Sequence, residues 1–265
     1  MCNAKYCIIA TIVAAQAAGS AAWAQTTYSY QITQDTYLDN RSATLNFGTS
    51  GNDKVVDSTT PCNTLFQLPA NLFSYSPGTI QSAVVSFYAF GPALQPGANT
   101  VYLYPLTQAF VAGTGTKNGT AGAGATWNTY DGANSWTTPG GDYDAAHFVA
   151  DITASSIVYN GSIVQVQPGD VSTGGAFFTF DITSLLNNPT TEAELQDNGA
   201  LLTLGSGASP QSYVTFVSAD TTSANDTPPY RPLLDVTVPE PSSLILVVVG
   251  LAALTCFRKK RQARC

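Results

Sequence analysis

The stretch from Ala125 to Phe148 concentrates side chains able to do chemistry: Trp127, Tyr130, Asp131, Trp136, Asp142, Tyr143, Asp144 and His147. Aromatic faces stack on pyranose rings, and Asn, Asp or Gln beside them bond sugar hydroxyls; Trp127, Tyr130, Trp136 and Tyr143 are therefore the candidate ligand-binding residues. Within that set Trp136 and Tyr143 read as the better binders, and Trp127, after Ala125-Thr126, as a plug at the edge of the fold. Gly140-Gly141-Asp142-Tyr143-Asp144 sets two carboxylates two residues apart on a turn, with Asp131 close in sequence. Hard oxygen ligands on such turns suit calcium; the competing reading is that Asp142 makes an Asx-turn. Asp35 and Asp235, on the first and last strands, form a second metal candidate against a plain surface-charge reading. His147, in Ala145-Ala146-His147-Phe148, reads as a packed histidine at a strand start. It is the only His, so no multi-histidine centre exists, and five Cys without a CxxC pair cannot make a zinc ribbon. No GxSxG is present, and Asp142 with Asp144 would serve a glycosidase only if they faced each other across a cleft. A catalytic role is not expected.

The elements that must position these residues are strands. Only 10 % of the chain is charged, against roughly 25 % in an average globular domain. Short β-branched and aromatic runs alternate with Gly, Pro, Asn and Asp clusters, which predicts strands over residues 28–33, 35–38, 79–90, 100–104, 148–152, 176–181, 200–204, 213–218 and 233–238. Ala83, Val85, Phe87 and Ala89 alternate with Ser82, Ser86 and Tyr88, the period of a half-buried strand. The one helical signal is Ile182, Leu185 and Leu186 after Asp181. The fold class expected is all-β, a two-sheet antiparallel β-sandwich. Ala112–Ala125, rich in Gly, Thr and Ala, predicts a flexible loop and lacks the Gly-Lys-Ser/Thr ending of a P-loop.

Both ends read as addresses. Lys5, an apolar run over 6–18 and Ala22-Trp23-Ala24 predict a signal peptide over residues 1–24, with a helix at its centre, cut before Gln25 by signal peptidase. At the other end Pro239-Glu240-Pro241 precedes the apolar run Leu244–Phe257 and the cluster Arg258-Lys259-Lys260-Arg261. As a helix this run reaches about 21 Å, short of a hydrocarbon core of about 30 Å, so it predicts a transient membrane segment. The order of parts resembles the PEP-CTERM sorting signal, here residues 239–265. That resemblance implies processing by exosortase, membrane anchorage before cleavage, and a final place on the outer surface or in the extracellular matrix.

Residues 25–238 form the expected domain. It carries sixteen acids, all seventeen but Glu240, against Arg41, Lys54, Lys117 and Arg231, a net charge of −12. Four scattered cations exclude nucleic acid as a partner. Cys62 is the domain's single Cys, so no internal disulfide forms; it reads as a half-buried small apolar residue. Asp35-Thr36-Tyr37-Leu38, Leu45-Asn46-Phe47-Gly48-Thr49-Ser50, Ala125-Thr126-Trp127-Asn128, Ser135-Trp136-Thr137-Thr138-Pro139-Gly140-Gly141-Asp142-Tyr143, Phe180-Asp181-Ile182-Thr183 and Pro229-Tyr230-Arg231-Pro232 occur in that order. The ordered set resembles a DNRLRE-type domain, a jelly roll related to carbohydrate-binding modules. This implies a non-catalytic domain that binds extracellular polysaccharide or builds biofilm structure, with bound calcium. One departure is Gln67 in Phe66-Gln67-Leu68, where the family carries an acid. The alternatives are a polysaccharide lyase or glycosidase, and a purely structural adhesin.

Overall fold

Wherever small and β-branched residues alternate with polar ones, the chain extends into strands, and where Gly, Pro and Asx cluster it turns. The computed structural model describes residues 25–57, 60–75, 79–89, 100–116, 118–122, 124–151, 176–205, 212–221 and 230–239. The expected signal helix, the apolar tail and Ile152 lie outside the described residues. The strands are β1 (Gln25–Gln31), β2 (Asp35–Asp39), β3 (Leu45–Asn46), β4 (Asn52–Asp57), β5 (Cys62–Phe66), β6 (Ser82–Ala89) and β7 (Val101–Pro105). They continue with β8 (Thr120–Ala121), β9 (Val149–Ala150), β10 (Ala176–Asp181), β11 (Ala200–Leu204), β12 (Ser212–Val217) and β13 (Leu233–Pro239). The short helix expected after Asp181 is α1 (Thr183–Leu186), where Asp181 accepts the Thr183 N–H. A second helix, α2 (Pro189–Asp197), starts with Asn188 capping the Thr190 N–H and Pro189 in the first turn.

One large curled sheet replaces the two separate sheets expected of a sandwich. Its path runs β1-β13-β6-β12-β4-β5-β11-β7-β9, with β10 on β6 and β2 on β5; β3 and β8 make a separate ribbon. These strands pair antiparallel. Two narrow joints make the path continuous. β12 meets β6 through Phe216 opposite Ala89, and β4 meets β5 through Val56 opposite Cys62. Each strand then leaves its neighbour for another, so the sheet bends there without breaking in two.

The inner face carries the main core. Phe87 lies at its centre, 5.0 Å from Phe66, 5.5 Å from Phe216 and 6.5 Å from Phe180 between ring centroids, and each of the four is fully buried. Its neighbours Ala83 and Val85 are buried with it, as the alternation predicts.

The outer face of β2, β5 and β11 is buried as well, which is why β5 has no exposed residue. Antiparallel partners share a face, so Leu65, opposite Leu201, and Leu201, opposite Tyr104, turn away from Phe66 and Phe87. Leu38, Leu65 and Leu201 are covered by Leu106, Phe110, Ala125 and Trp136 from the long connection after β7. That connection is a cap on the sheet, and it carries the candidate site.

Candidate functional site

Asn46 anchors the cap. Its buried side chain donates from Nδ2 to the carbonyls of Ala112 (2.7 Å) and Ala125 (2.8 Å), and its Oδ1 accepts the N–H groups of Gly48 (3.1 Å) and Gly115 (2.8 Å). All four capacities of the amide are met, so the burial carries no desolvation penalty from an orphaned group. Gly115 is obligatory at this point, because a Cβ there would lie 1.9 Å from the Asn46 carbonyl oxygen. Thr49 N–H to Gly115 O and Ala125 N–H to Val111 O close the arrangement. The stretch expected to be a flexible loop is therefore pinned along its described residues; Lys117 and Ala123 lie outside them. Composition was misleading here because glycines serve close backbone approach as well as freedom.

The two tryptophans exchange the parts expected of them. Trp136 is the plug: 4 % exposed, its Nε1–H donating 2.9 Å to Thr126 O inside the outer-face cluster. A ring so enclosed presents no face to a ligand. Trp127 is half-buried, packed over Gly140, whose φ of +99° and missing Cβ allow the indole to approach; a Cβ would sit 2.7 Å from the ring. Tyr130 is half-buried and lies edge-on to Trp136 at 5.8 Å. Tyr143 is the candidate that faces solvent, 39 % exposed. An antiparallel bridge to Leu106 holds its backbone, flanked by Thr107 N–H to Asp142 O and Asp144 N–H to Pro105 O. The ring borders an open cleft of about 460 Å³ that is also lined by Thr107, Gln108, Thr137, Thr138 and Asp142. Thr107 and Gln108 carried no signal in the sequence, and Thr137 and Thr138 stood there only as part of the family-like stretch, not as candidate binders.

The acids stand apart from one another. Asp142 accepts Thr137 N–H and Thr138 N–H, each at 2.7 Å, as an Asx-type brace of the turn. Asp131 braces its own loop by accepting the N–H groups of Ala133 and Asn134 and the Asn134 side-chain amide, which hold its carboxyl below the usual carboxylate range. Asp144 accepts Ala146 N–H and pairs with His147 Nδ1, and that pairing holds its carboxyl low. Among the described residues no three Asp, Glu, His or Cys side chains converge on a common point. The calcium implied by the resemblance thus meets no fitting ligand set in Asp131, Asp142 and Asp144, which do not converge and whose oxygens accept local backbone and side-chain donors. Gln67, at the family's acidic position, donates to Asn198 O. His147 is not packed as expected: it sits on a turn, with 42 % of its side chain exposed.

Asp35 and Asp235 do not meet. Asp235 accepts a hydrogen bond from Ser29 Oγ on β1, whereas Asp35 is buried on β2. There Asp35 accepts Ser218 Oγ–H (2.7 Å) and Ala219 N–H (2.6 Å). Its companion is Asp53 on β4, fully buried and without a donor of its own. Burial first, and then the charge of Asp35, push the Asp53 carboxyl well up. Cys62 is buried and free, its thiol pushed up to about 12 chiefly by that burial.

The last described strand ends at Pro239 and leads into Glu240-Pro241, the apolar run and the basic cluster. Residues 237–261 match the PEP-CTERM protein-sorting motif. The PEP-CTERM signal begins two residues earlier than the sequence reading set it, and it marks the chain as an exported protein, membrane-anchored before exosortase cleaves it. No helix among the described residues is long and apolar enough to cross a membrane. A search of characterised proteins finds no match to the chain.

Proposed function

We propose that the protein is a non-catalytic component of the cell surface or extracellular matrix whose DNRLRE-like domain binds polysaccharide in the Tyr143 cleft, contributing to exopolysaccharide or biofilm structure. The observation that carries this reading is the exposed Tyr143 ring on an open cleft whose other polar walls are Thr107, Gln108, Thr137, Thr138 and Asp142. An apolar face beside several neutral hydroxyl and amide groups suits the alternating CH and OH surface of a sugar. The same lining supports the non-catalytic reading. Glycoside hydrolysis uses two opposed carboxyl groups, and Asp142 is the one carboxylate there, its oxygens engaged by backbone N–H groups. His147 does not line the cleft.

Affinity electrophoresis of the secreted protein, in gels containing a mixed-linkage β-glucan, galactomannan, xylan or alginate, tests the reading. Retardation in at least one gel, weakened about ten-fold in Tyr143→Ala, is expected. Free migration in every gel would favour the structural-adhesin alternative. Release of reducing ends, abolished in His147→Ala, would favour the enzyme.

A further inference from the structure

At the β7 edge of the outer face, next to the cap, a row of aromatic rings continues from Tyr143; Tyr104 packs partly against the cap's cluster. On β7, Val101 and Leu103 point into the core, so the alternation turns Tyr102 and Tyr104 outward. Phe148, just before β9, lies on the same side as Ala150, the partner of Tyr102, and is 49 % exposed. The rings touch in succession: Tyr143 to Tyr104 at 4.7 Å, Tyr104 to Phe148 at 5.5 Å, and Phe148 to Tyr102 at 5.4 Å between centroids. Thr203 of β11 stands opposite Tyr102.

We infer that Tyr143, Tyr104, Phe148 and Tyr102 form one platform that binds an uncharged polysaccharide chain running out of the Tyr143 cleft. The inference rests on the polysaccharide reading above and extends it to further residues and to the charge of the ligand. Tyr143 and Phe148 are exposed and Tyr102 and Tyr104 half-buried beside them; a contiguous solvent-facing aromatic surface marks an interaction site, and three of its four rings carry a hydroxyl that bonds sugar oxygens while the face stacks. Charge decides the class of polymer. Asp144 lies between Tyr143 and Phe148 in sequence, paired with His147, and Glu194 of α2 lies close enough to Asp144 for the two charges to repel. The described cations are engaged elsewhere: Arg41 on Asp39, Lys54 over the Tyr37 ring, and Arg231 on Thr221 O. An anionic polymer is repelled there, and a second copy of this face would bring the same carboxylates together; a neutral chain meets neither penalty.

The test is affinity electrophoresis of the full secreted protein and of Tyr102→Ala, Phe148→Ala, Tyr102→Phe and Tyr143→Ala, in neutral β-glucan, galactomannan or xylan and in alginate. Light scattering over a concentration series accompanies it. Expected are retardation by a neutral polymer but not by alginate, weakening of about ten-fold or more in Tyr102→Ala and Phe148→Ala, and retention of most binding in Tyr102→Phe. Binding that depends on Tyr143 alone would overturn the platform and leave the cleft reading standing. Absence of binding to every polymer would overturn both. Preference for alginate, or a dimer that Phe148→Ala dissolves, would overturn the platform in favour of an anionic ligand or a second copy. Unchanged thermal unfolding of the variants shows that lost binding is not lost folding.

Discussion

Trp136 donates its indole N–H to the carbonyl of Thr126, 2.9 Å away and ten residues earlier in the chain. The bond closes the loop on itself while the ring fills the space above Leu38, Leu65 and Leu201. Trp136→Ala is expected to destabilise the protein by about 3–5 kcal/mol, and Trp136→Phe by about 1–3 kcal/mol through the carbonyl it leaves unpaired. Urea denaturation measures both. Polysaccharide affinity of the folded Trp136→Phe protein should match that of the parent, since the ring has no open face.

The Asp35–Asp53 pair predicts loss of stability with rising pH. Both carboxyls are raised above their ordinary values, Asp53 the more strongly: burial raises each of them, and the charge of Asp35 raises Asp53 further. Their contribution is therefore fully present below the ordinary carboxylate range and is lost as pH climbs through the raised value of Asp53. Asp53→Asn removes the buried titratable group while keeping its size. Denaturation midpoints from about pH 4 to about pH 8 should fall for the parent relative to this variant. Parallel curves would show that Asp53 does not set the pH dependence.

Asp142 should matter to the fold whether or not calcium is present. Both of its oxygens accept backbone N–H groups in an exposed turn, where water can replace them, so Asp142→Ala costs about 0.5–1.5 kcal/mol. Thermal unfolding in millimolar calcium and in EDTA should give the same melting temperature for parent and variant alike. A calcium-dependent rise that Asp142→Ala abolishes would place a metal on this turn.

The sorting signal should be removed. In a strain with active exosortase, mass spectrometry of the released protein should find no peptide beyond about Leu244, and deletion of exosortase should keep the full tail on the membrane fraction. Arg258–Cys265 recovered from matrix material would contradict this.

The alternating strands were legible because one face of each is buried. Val85 and Phe87 on β6 are fully buried while Ser82, Val84 and Ser86 are half-buried, as their period implies. β5 was missed because both of its faces are enclosed, with Thr64 pointing inward and Asn63 meeting the cap, where it donates to Gly140 O at 2.8 Å, and β4 because the acid Asp53 takes one of its buried positions beside Val55. Polar residues on the strand interiors hide the alternation. The cap itself was invisible, since nothing local tells Asn46 that it will hold Ala112 and Ala125. Tyr143 was found because an aromatic beside Asp-Gly turns is conspicuous, but Tyr102 and Tyr104 read only as strand formers. Their outward register follows from the pairing with β9 and β11.

β1 lies beside β13 in the sheet, with Thr27 Oγ1 and Thr237 Oγ1 2.9 Å apart although 210 positions separate them. A chain that crosses the inner membrane N-terminus first must therefore leave β1 and one edge of β6 without their neighbour until β13 has emerged. Such late closure makes folding slow and leaves unpaired edges open to wrong partners in the meantime. The segment that comes through last is also the one that completes the sheet. A tail that keeps the chain tethered at the membrane until exosortase cuts it gives each molecule time to close its own sheet before it meets another.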